Sequence, residues 1–329
     1  MLLAGLHGLG RFGQHALLAW LQAPGKVEIG FLADEVLSGE QVCALLRTHD
    51  RLDFAFADPV WQGGCLWLSD SMGVRRGLPY FQGPATLAAW LGVPDIWLEC
   101  SGRYASKAAC MPFLKGNTQQ VLVSATCDGA DQTLLMGWNQ AAWQARAKVL
   151  SYGSCTINAF VPLADWLHRE LGVRDAQVQV IHNVPAYRLA DCAHPLRTGC
   201  TLQVMAPRLL PWLADEQLDV LYTLIPYSGT SLLDLQFRVE RLLPLAQLLH
   251  QLQYAVEQGA LAGLYALPSL DPGGQQVLGQ PFNAVFPLSG IRLRGDSLRL
   301  SGYLDNENSA YRYIQLVKWL AREDGSFRK

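Results

Sequence analysis

Short apolar runs alternate with amphipathic stretches along the first half of the chain, a pattern that predicts a parallel sheet wrapped by helices. The expected strands are Leu2–Leu6, Val27–Leu32, Ile96–Cys100, Gln120–Ser124 and Lys148–Ser151. Helical spacing runs over Phe12–Leu21, Gly39–Arg47, Pro84–Leu91 and Ala105–Leu114, several of them closed by glycine. Between Asp53 and Pro79, turn residues and aromatics crowd together and read as hairpins inserted between two such units. After Asn158 a helix runs to about Leu171, stopped by Gly172, and then the texture changes. Leu233, Leu235, Phe237 and Val239 alternate with Asp234, Gln236, Arg238 and Glu240. That period of two belongs to a strand with one solvated face, and an antiparallel sheet is expected. An amphipathic helix over Leu243–Gly259 would cover its apolar side, Ile291–Tyr303 adds strand pattern, and Asn308–Arg322 ends as a helix. The fold class is therefore α/β plus α+β. The expected domains are 1–154, completed by a C-terminal helix over 307–329 that returns to it, and 155–306.

Composition narrows the functional classes. A chain of 329 residues, half of them apolar, buries a substantial core. A formal net charge of -2 with scattered Lys and Arg provides no basic footprint, so nucleic acid is not an expected partner. The N-terminus has no basic segment ahead of its apolar run, and no apolar run reaches bilayer length. A cytoplasmic protein without membrane contact is the expectation. The eight cysteines are dispersed with no C-x-x-C spacing, so neither a metal site nor a disulfide framework is expected.

Two local patterns carry chemistry. Gly8-Leu9-Gly10-Arg11-Phe12-Gly13 follows a strand and opens a helix, the context of a dinucleotide fingerprint. Gly8 makes the tight turn, Gly10 admits a pyrophosphate to the backbone, and Gly13 lets helix pack on strand. Asp34, ending the next strand, would accept from ribose hydroxyls and repel a 2′-phosphate, favouring NAD over NADP. The second pattern is Ser154-Cys155-Thr156-Ile157-Asn158, a cysteine at a helix start, where orphan N–H groups favour its thiolate. His182 ends the alternating run Val178–Ile181 and is the expected general base for that thiol.

The order of these motifs, with Cys100-Ser101-Gly102-Arg103-Tyr104, Pro162 and Asp305-Asn306-Glu307, resembles the glyceraldehyde-3-phosphate dehydrogenase family, including erythrose-4-phosphate dehydrogenase, over nearly the whole chain. The resemblance implies an N-terminal Rossmann NAD-binding domain and a C-terminal catalytic domain. It implies that Cys155 attacks an aldehyde, that His182 takes the hydroxyl proton as hydride leaves for nicotinamide, and that a thioester remains. Asn306 would hold the nicotinamide carboxamide, while Arg11, Phe12, Ser101, Gly102 and Ser124 would line the dinucleotide cleft. Ser154 and Thr156 would face the substrate. A homotetramer, packed through the loop after the histidine, roughly Asn183–Thr201, is also implied.

The chain departs from the family where phosphate is held. The family's threonine three residues after the histidine corresponds to Pro185, and its arginine before a Val-Pro turn corresponds to Leu224. Neither replacement holds an anion. Val204-Met205-Ala206-Pro207 reads as the family's Ile-Ile-Pro turn, with the Ser-Thr-Gly stretch that should follow it deleted, leaving Ser154 and Thr156 from that pocket. Arg188, Arg197 and Arg208 are the available replacement charges, each more simply read as a solvated surface arginine. An NAD-dependent oxidoreductase acting on a small aldehyde is the leading expectation. An NAD-binding sensor or interaction protein and a cysteine hydrolase are the alternatives.

Overall fold

The computed structural model describes residues 1–49, 51–184, 195–197, 200–227, 229–307 and 309–323. The chain divides into two compact units, Met1–Gly153 with Ala310–Lys329, and Ser154–Ser309. No helix among the described residues is long and apolar enough to cross a membrane.

In the first unit, strand β1 (Leu2–His7), helix α1 (Arg11–Gln22), strand β2 (Val27–Asp34) and helix α2 (Gly39–Arg47) follow in order. Strands β3 (Val60–Gln62), β4 (Cys65–Ser69) and β5 (Arg75–Gln82) form the expected hairpins, and β5 then joins β2 in parallel. Next come β6 (Ile96–Glu99), the short helix α3 (Lys107–Cys110), β7 (Gln120–Val123), β8 (Gln132–Thr133) and β9 (Val149–Ser151). The sheet order is β3-β4-β5-β2-β1-β6-β7-β9-β8, parallel from β5 to β8. Leu6, Leu17, Ile29, Leu98 and Leu122 share one core with Ile314 and Val317 of the C-terminal helix.

Two expected helices shrink to single turns. Over Pro84–Leu91 only Ala85–Leu87 is helical, because Ala88 turns extended and carries Trp90 onto Phe31, rings stacked at 5.2 Å. Over Ala105–Leu114, Ser106 caps α3, and Pro112 then tightens Met111–Phe113 into a 3-10 turn, since it cannot donate to an α-helical ladder.

The second unit opens with α4 (Cys155–Leu171), ended by Gly172 at φ 68°, and continues as β10 (Val173–Asn183) and β11 (Leu196–Arg197). Helix α5 (Thr201–Leu209), strands β12 (Leu218–Ile225) and β13 (Ser231–Val239) and helix α6 (Leu245–Glu257) follow. The short elements β14 (Tyr265–Ala266), α7 (Gly274–Val277) and β15 (Ala284–Val285) lead to β16 (Ile291–Arg294), β17 (Ser297–Leu304) and α8 (Ser309–Glu323). The sheet order is β11-β12-β10-β13-β17-β15-β14, with β16 on β17. It is mostly antiparallel as expected, but β10 pairs with β12 in parallel, which requires the crossover that α5 supplies. Leu233, Leu235, Phe237 and Val239 are buried as the period of two predicts, and Phe160 of α4 stacks on Phe237 at 5.7 Å.

Helix α4 contains a proline, and the surrounding fold repairs the damage. Pro162 has no N–H for Asn158 O, which instead accepts from Asn283 Nδ2 at 3.0 Å. One residue on, the Tyr265 hydroxyl enters the ladder: it accepts from Leu163 N at 3.1 Å and donates to Ala159 O at 2.9 Å. Its burial pushes the Tyr265 phenol far above its ordinary range, so it stays a donor at any working pH. Tyr265→Phe leaves a buried amide and a buried carbonyl unmatched, and is expected to lower the unfolding free energy by about 1–3 kcal/mol, measured by urea denaturation. An unchanged midpoint would refute this repair.

Candidate active site

Parallel neighbours end on a common edge, and the cofactor residues predicted in the first unit fall there. Gly8 follows β1, Asp34 closes β2, Ser101 and Gly102 follow β6, and Ser124 follows β7. The order in which strands are added reverses about β1, with β2 on one side and β6 on the other, so this edge is the switch point of the sheet. Gly8 has φ 91°, and a Cβ on it would lie 2.4 Å from Ser101 N. A Cβ on Gly13 would lie 1.8 Å from Gly8 O, while one on Gly10 would meet nothing within 4 Å. Two glycines thus serve packing, and the third leaves open space before the start of α1, which no side chain of Gly10 caps. That arrangement fits a pyrophosphate.

Asp34 is more occupied than expected. Its Oδ2 accepts from Leu9 N at 2.7 Å, and its Oδ1 accepts from Val36 N at 2.8 Å and Leu37 N at 2.9 Å. The carboxylate therefore braces the fingerprint loop first and retains only part of its accepting capacity for a ribose. Phe12 meets the edge of Tyr313 at 5.4 Å. A buried pair that sequence reasoning missed supports the same edge: His7 Nδ1 lies 2.5 Å from Glu99 Oε2, and Glu99 Oε1 accepts from both the N–H (2.7 Å) and the hydroxyl of Ser101. Only its place between strand end and glycine loop marked His7 beforehand.

In the second unit, Ser154 caps α4 by accepting from Ile157 N at 3.3 Å, and its carbonyl takes Asn158 Nδ2 at 3.0 Å. Cys155 is thereby the first helical residue. Its Sγ stands 4.0 Å from His182 Nε2. His182 Nδ1 lies 2.9 Å from the carbonyl of Asn183, which only accepts, so the proton resides on Nδ1 in the neutral ring and Nε2 is left as acceptor toward the thiol. The ring also tilts against Tyr222 at 5.5 Å.

The electrostatics correct one expectation. Burial, with the nearby carboxylate of Glu307 second, pushes the Cys155 thiol up to about 12, outweighing the N–H groups of Thr156 and Cys155 that favour the thiolate. The helix start alone does not create a nucleophile at neutral pH.

The surroundings differ from the sequence reading in a second respect. Val204–Pro207 lies inside α5 and is no turn. The N-cap of α5 is Cys200, and Thr201 at its first position donates to Ser154 Oγ at 3.0 Å. Ser154 Oγ is also 3.0 Å from Thr156 Oγ1, so three hydroxyls, not two, gather at the start of α4. A hydroxyl directly after a cysteine N-cap was the available signal. Leu224 pairs with His182 across β12 and β10 and is buried, so the strand position beside the imidazole is apolar. Pro185 and Arg188 lie outside the described residues. Arg197 is described only as a strand position, and Arg208 lies in the last turn of α5. Among the described residues no cluster of His, Cys, Asp or Glu is arranged to hold a metal.

Asn306 closes the second-unit group. It follows the buried Asp305, with Oδ1 accepting from Ser231 Oγ at 2.8 Å and Nδ2 donating to Asn183 Oδ1. Asn183 and Ser231 were not foreseen, although Asn183 adjoins His182.

No family model matches the chain. Whole proteins do. The chain is 28% identical over 324 residues to glyceraldehyde-3-phosphate dehydrogenase of Cereibacter sphaeroides, covering 92% of this chain and 93% of that one. It is 28% identical over 336 residues to the enzyme of that name from Kitasatospora aureofaciens, covering 96% and 98%. Against that of Geobacillus stearothermophilus it is 26% identical over 344 residues, covering 96% and 97%. With a strand-edge glycine turn in one unit and a cysteine facing a histidine in the other, the chain is similar over nearly its whole length to proteins named glyceraldehyde-3-phosphate dehydrogenase, consistent with a divergent member of that family.

Proposed function

We propose that this protein is an NAD-dependent aldehyde dehydrogenase working through a cysteine thioester, on a substrate that does not need a phosphate. The observation that carries the reading is Cys155 Sγ at 4.0 Å from a His182 Nε2 whose tautomer makes it an acceptor. The relatives named glyceraldehyde-3-phosphate dehydrogenase supply the reaction class. The open space over Gly10 and the brace at Asp34 fit a dinucleotide. When bound, NAD supplies the hydride acceptor.

The chain's own residues do the remainder. His182 takes the thiol proton at Nε2 and Cys155 attacks the aldehyde carbon, forming a thiohemiacetal. The N–H of Cys155 and the imidazolium stabilise the developing oxyanion. The imidazolium returns its proton to that oxyanion, giving the hydroxyl, and the neutral His182 takes that proton back at Nε2 as the carbon is oxidised to a thioester. Ser154, Thr156 and Thr201 offer hydroxyls to the oxygen nucleophile, phosphate or water, that releases the acyl group. A dianionic phosphate on the substrate needs several charged or strongly donating partners, and Leu224 beside His182 supplies none. Assembly as a homotetramer belongs to the same reading and is tested by sedimentation.

Purified protein with NAD and a small unphosphorylated aldehyde should produce NADH. Its kcat/KM should equal or exceed that for a triose phosphate, and Cys155→Ser should abolish turnover. Full activity in that variant would sink the mechanism. Because the thiol is held high, alkylation of Cys155 by iodoacetamide should be slow at pH 7 and climb as pH rises. Glu307→Gln removes a negative charge that opposes the thiolate, so it should lower the thiol pKa and speed alkylation at pH 7 roughly three- to tenfold. An unchanged or slower rate would refute the role of Glu307.

A further inference from the structure

We infer that Asn183 is a positioning residue: it locks the side-chain amide of Asn306 in one of its two flips, and thereby dictates the hydrogen-bond pattern shown to the carboxamide of a bound dinucleotide. This deepens the proposed function and rests on it, with Asn306 holding that carboxamide as the family resemblance implies.

The argument is one of donor and acceptor identity. Asn183 Nδ2 lies 2.6 Å from Gly229 O, a carbonyl that only accepts, which orients the Asn183 amide with Oδ1 on the other side. Oδ1 also only accepts, so the atom of Asn306 that meets it is Nδ2, a donor. The opposite flip would set two carbonyl oxygens against each other. The Ser231 hydroxyl then donates to Asn306 Oδ1 at 2.8 Å and accepts from Asn183 N at 3.1 Å. Its own contact with Asn183 Oδ1, at 3.0 Å, competes for the same single proton. Both Asn183 and Ser231 are buried, so water does not scramble this polarity.

Ser231 cannot select the flip unaided, because a hydroxyl donates or accepts equally well and suits either orientation. Selection falls to Asn183. Asn306, by contrast, is only partly buried. Once locked, it retains one N–H of Nδ2 and one lone pair of Oδ1 beyond the network among the described residues. A donor next to an acceptor complements a primary carboxamide, which offers both. An acetyl group in the same place offers an acceptor alone.

The experiment compares equilibrium binding of three probes by calorimetry: NAD, its 3-acetylpyridine analogue, and ADP-ribose, which lacks the ring. Wild-type protein should prefer NAD over the analogue. In Asn183→Ala and Asn183→Ser that preference should fall roughly three- to tenfold, while ADP-ribose binds as before. Circular dichroism verifies that the variants fold. Preference unchanged in both variants overturns the proposal, as does an equal weakening of all three probes, which marks a merely structural role. A wild-type protein that binds ADP-ribose without distinguishing NAD from the analogue also overturns it, leaving the aldehyde reaction to be judged by turnover. If NAD is preferred and Asn183 controls that preference while no aldehyde is oxidised, the catalytic reading fails and the role of Asn183 stands.

Discussion

Helix α4 begins at Cys155, the residue on which the proposed chemistry turns, and it survives only because other parts of its unit complete its backbone. Pro162 removes an amide from the ladder within two turns of Cys155, and the buried groups left behind carry a cost comparable to a sizeable fraction of a domain's net stability. Asn283 and Tyr265, more than a hundred residues away in sequence, satisfy them. With the ladder repaired, Ser154 caps the helix, and the thiol, the three hydroxyls and the facing imidazole acquire fixed positions. The geometry of the site is thus a consequence of backbone hydrogen-bond accounting.

A second constraint is electrostatic. A thiol removed from water resists ionisation, and Glu307 adds to that resistance. With the Cys155 thiol biased toward its protonated form, the proposed chemistry needs a base, which makes the His182 tautomer, set by the Asn183 carbonyl, as consequential as the cysteine itself. Asn183 therefore serves the site twice, through its carbonyl to the imidazole and through its side chain to Asn306. Adjacent residues on one strand end thus couple the His182 ring and the Asn306 amide without any further element.

Much of this was legible in the chain. The strands and helices with strong periodicity stand within a residue or two of their expected bounds, because burial on one face is what the period encodes. The Gly8, Gly10 and Gly13 spacing likewise carried its own physical meaning, since Gly8 and Gly13 answer steric demands of the turn and Gly10 leaves open space before α1. The expectations that failed share a cause. Pro84–Leu91 and Ala105–Leu114 have helical composition, but an aromatic stack and a proline decide their backbone. Val204–Pro207 looked like a turn because it resembles the family's Ile-Ile-Pro turn, whereas α5 runs through it.

By itself, then, the sequence determined the two-part architecture, the glycine turn at the first strand edge, and the choice of Cys155 and His182 as candidate nucleophile and base, all of which depend on local pattern and residue chemistry. Only the tertiary structure decided the ionisation of Cys155, the third hydroxyl at Thr201, the apolar neighbour Leu224 and the Asn183–Asn306–Ser231 polarity. Each of these is set by groups distant in sequence and brought together in space. Desolvation, Coulomb interaction and hydrogen-bond direction act through distance, and the order of residues along a chain does not state distances.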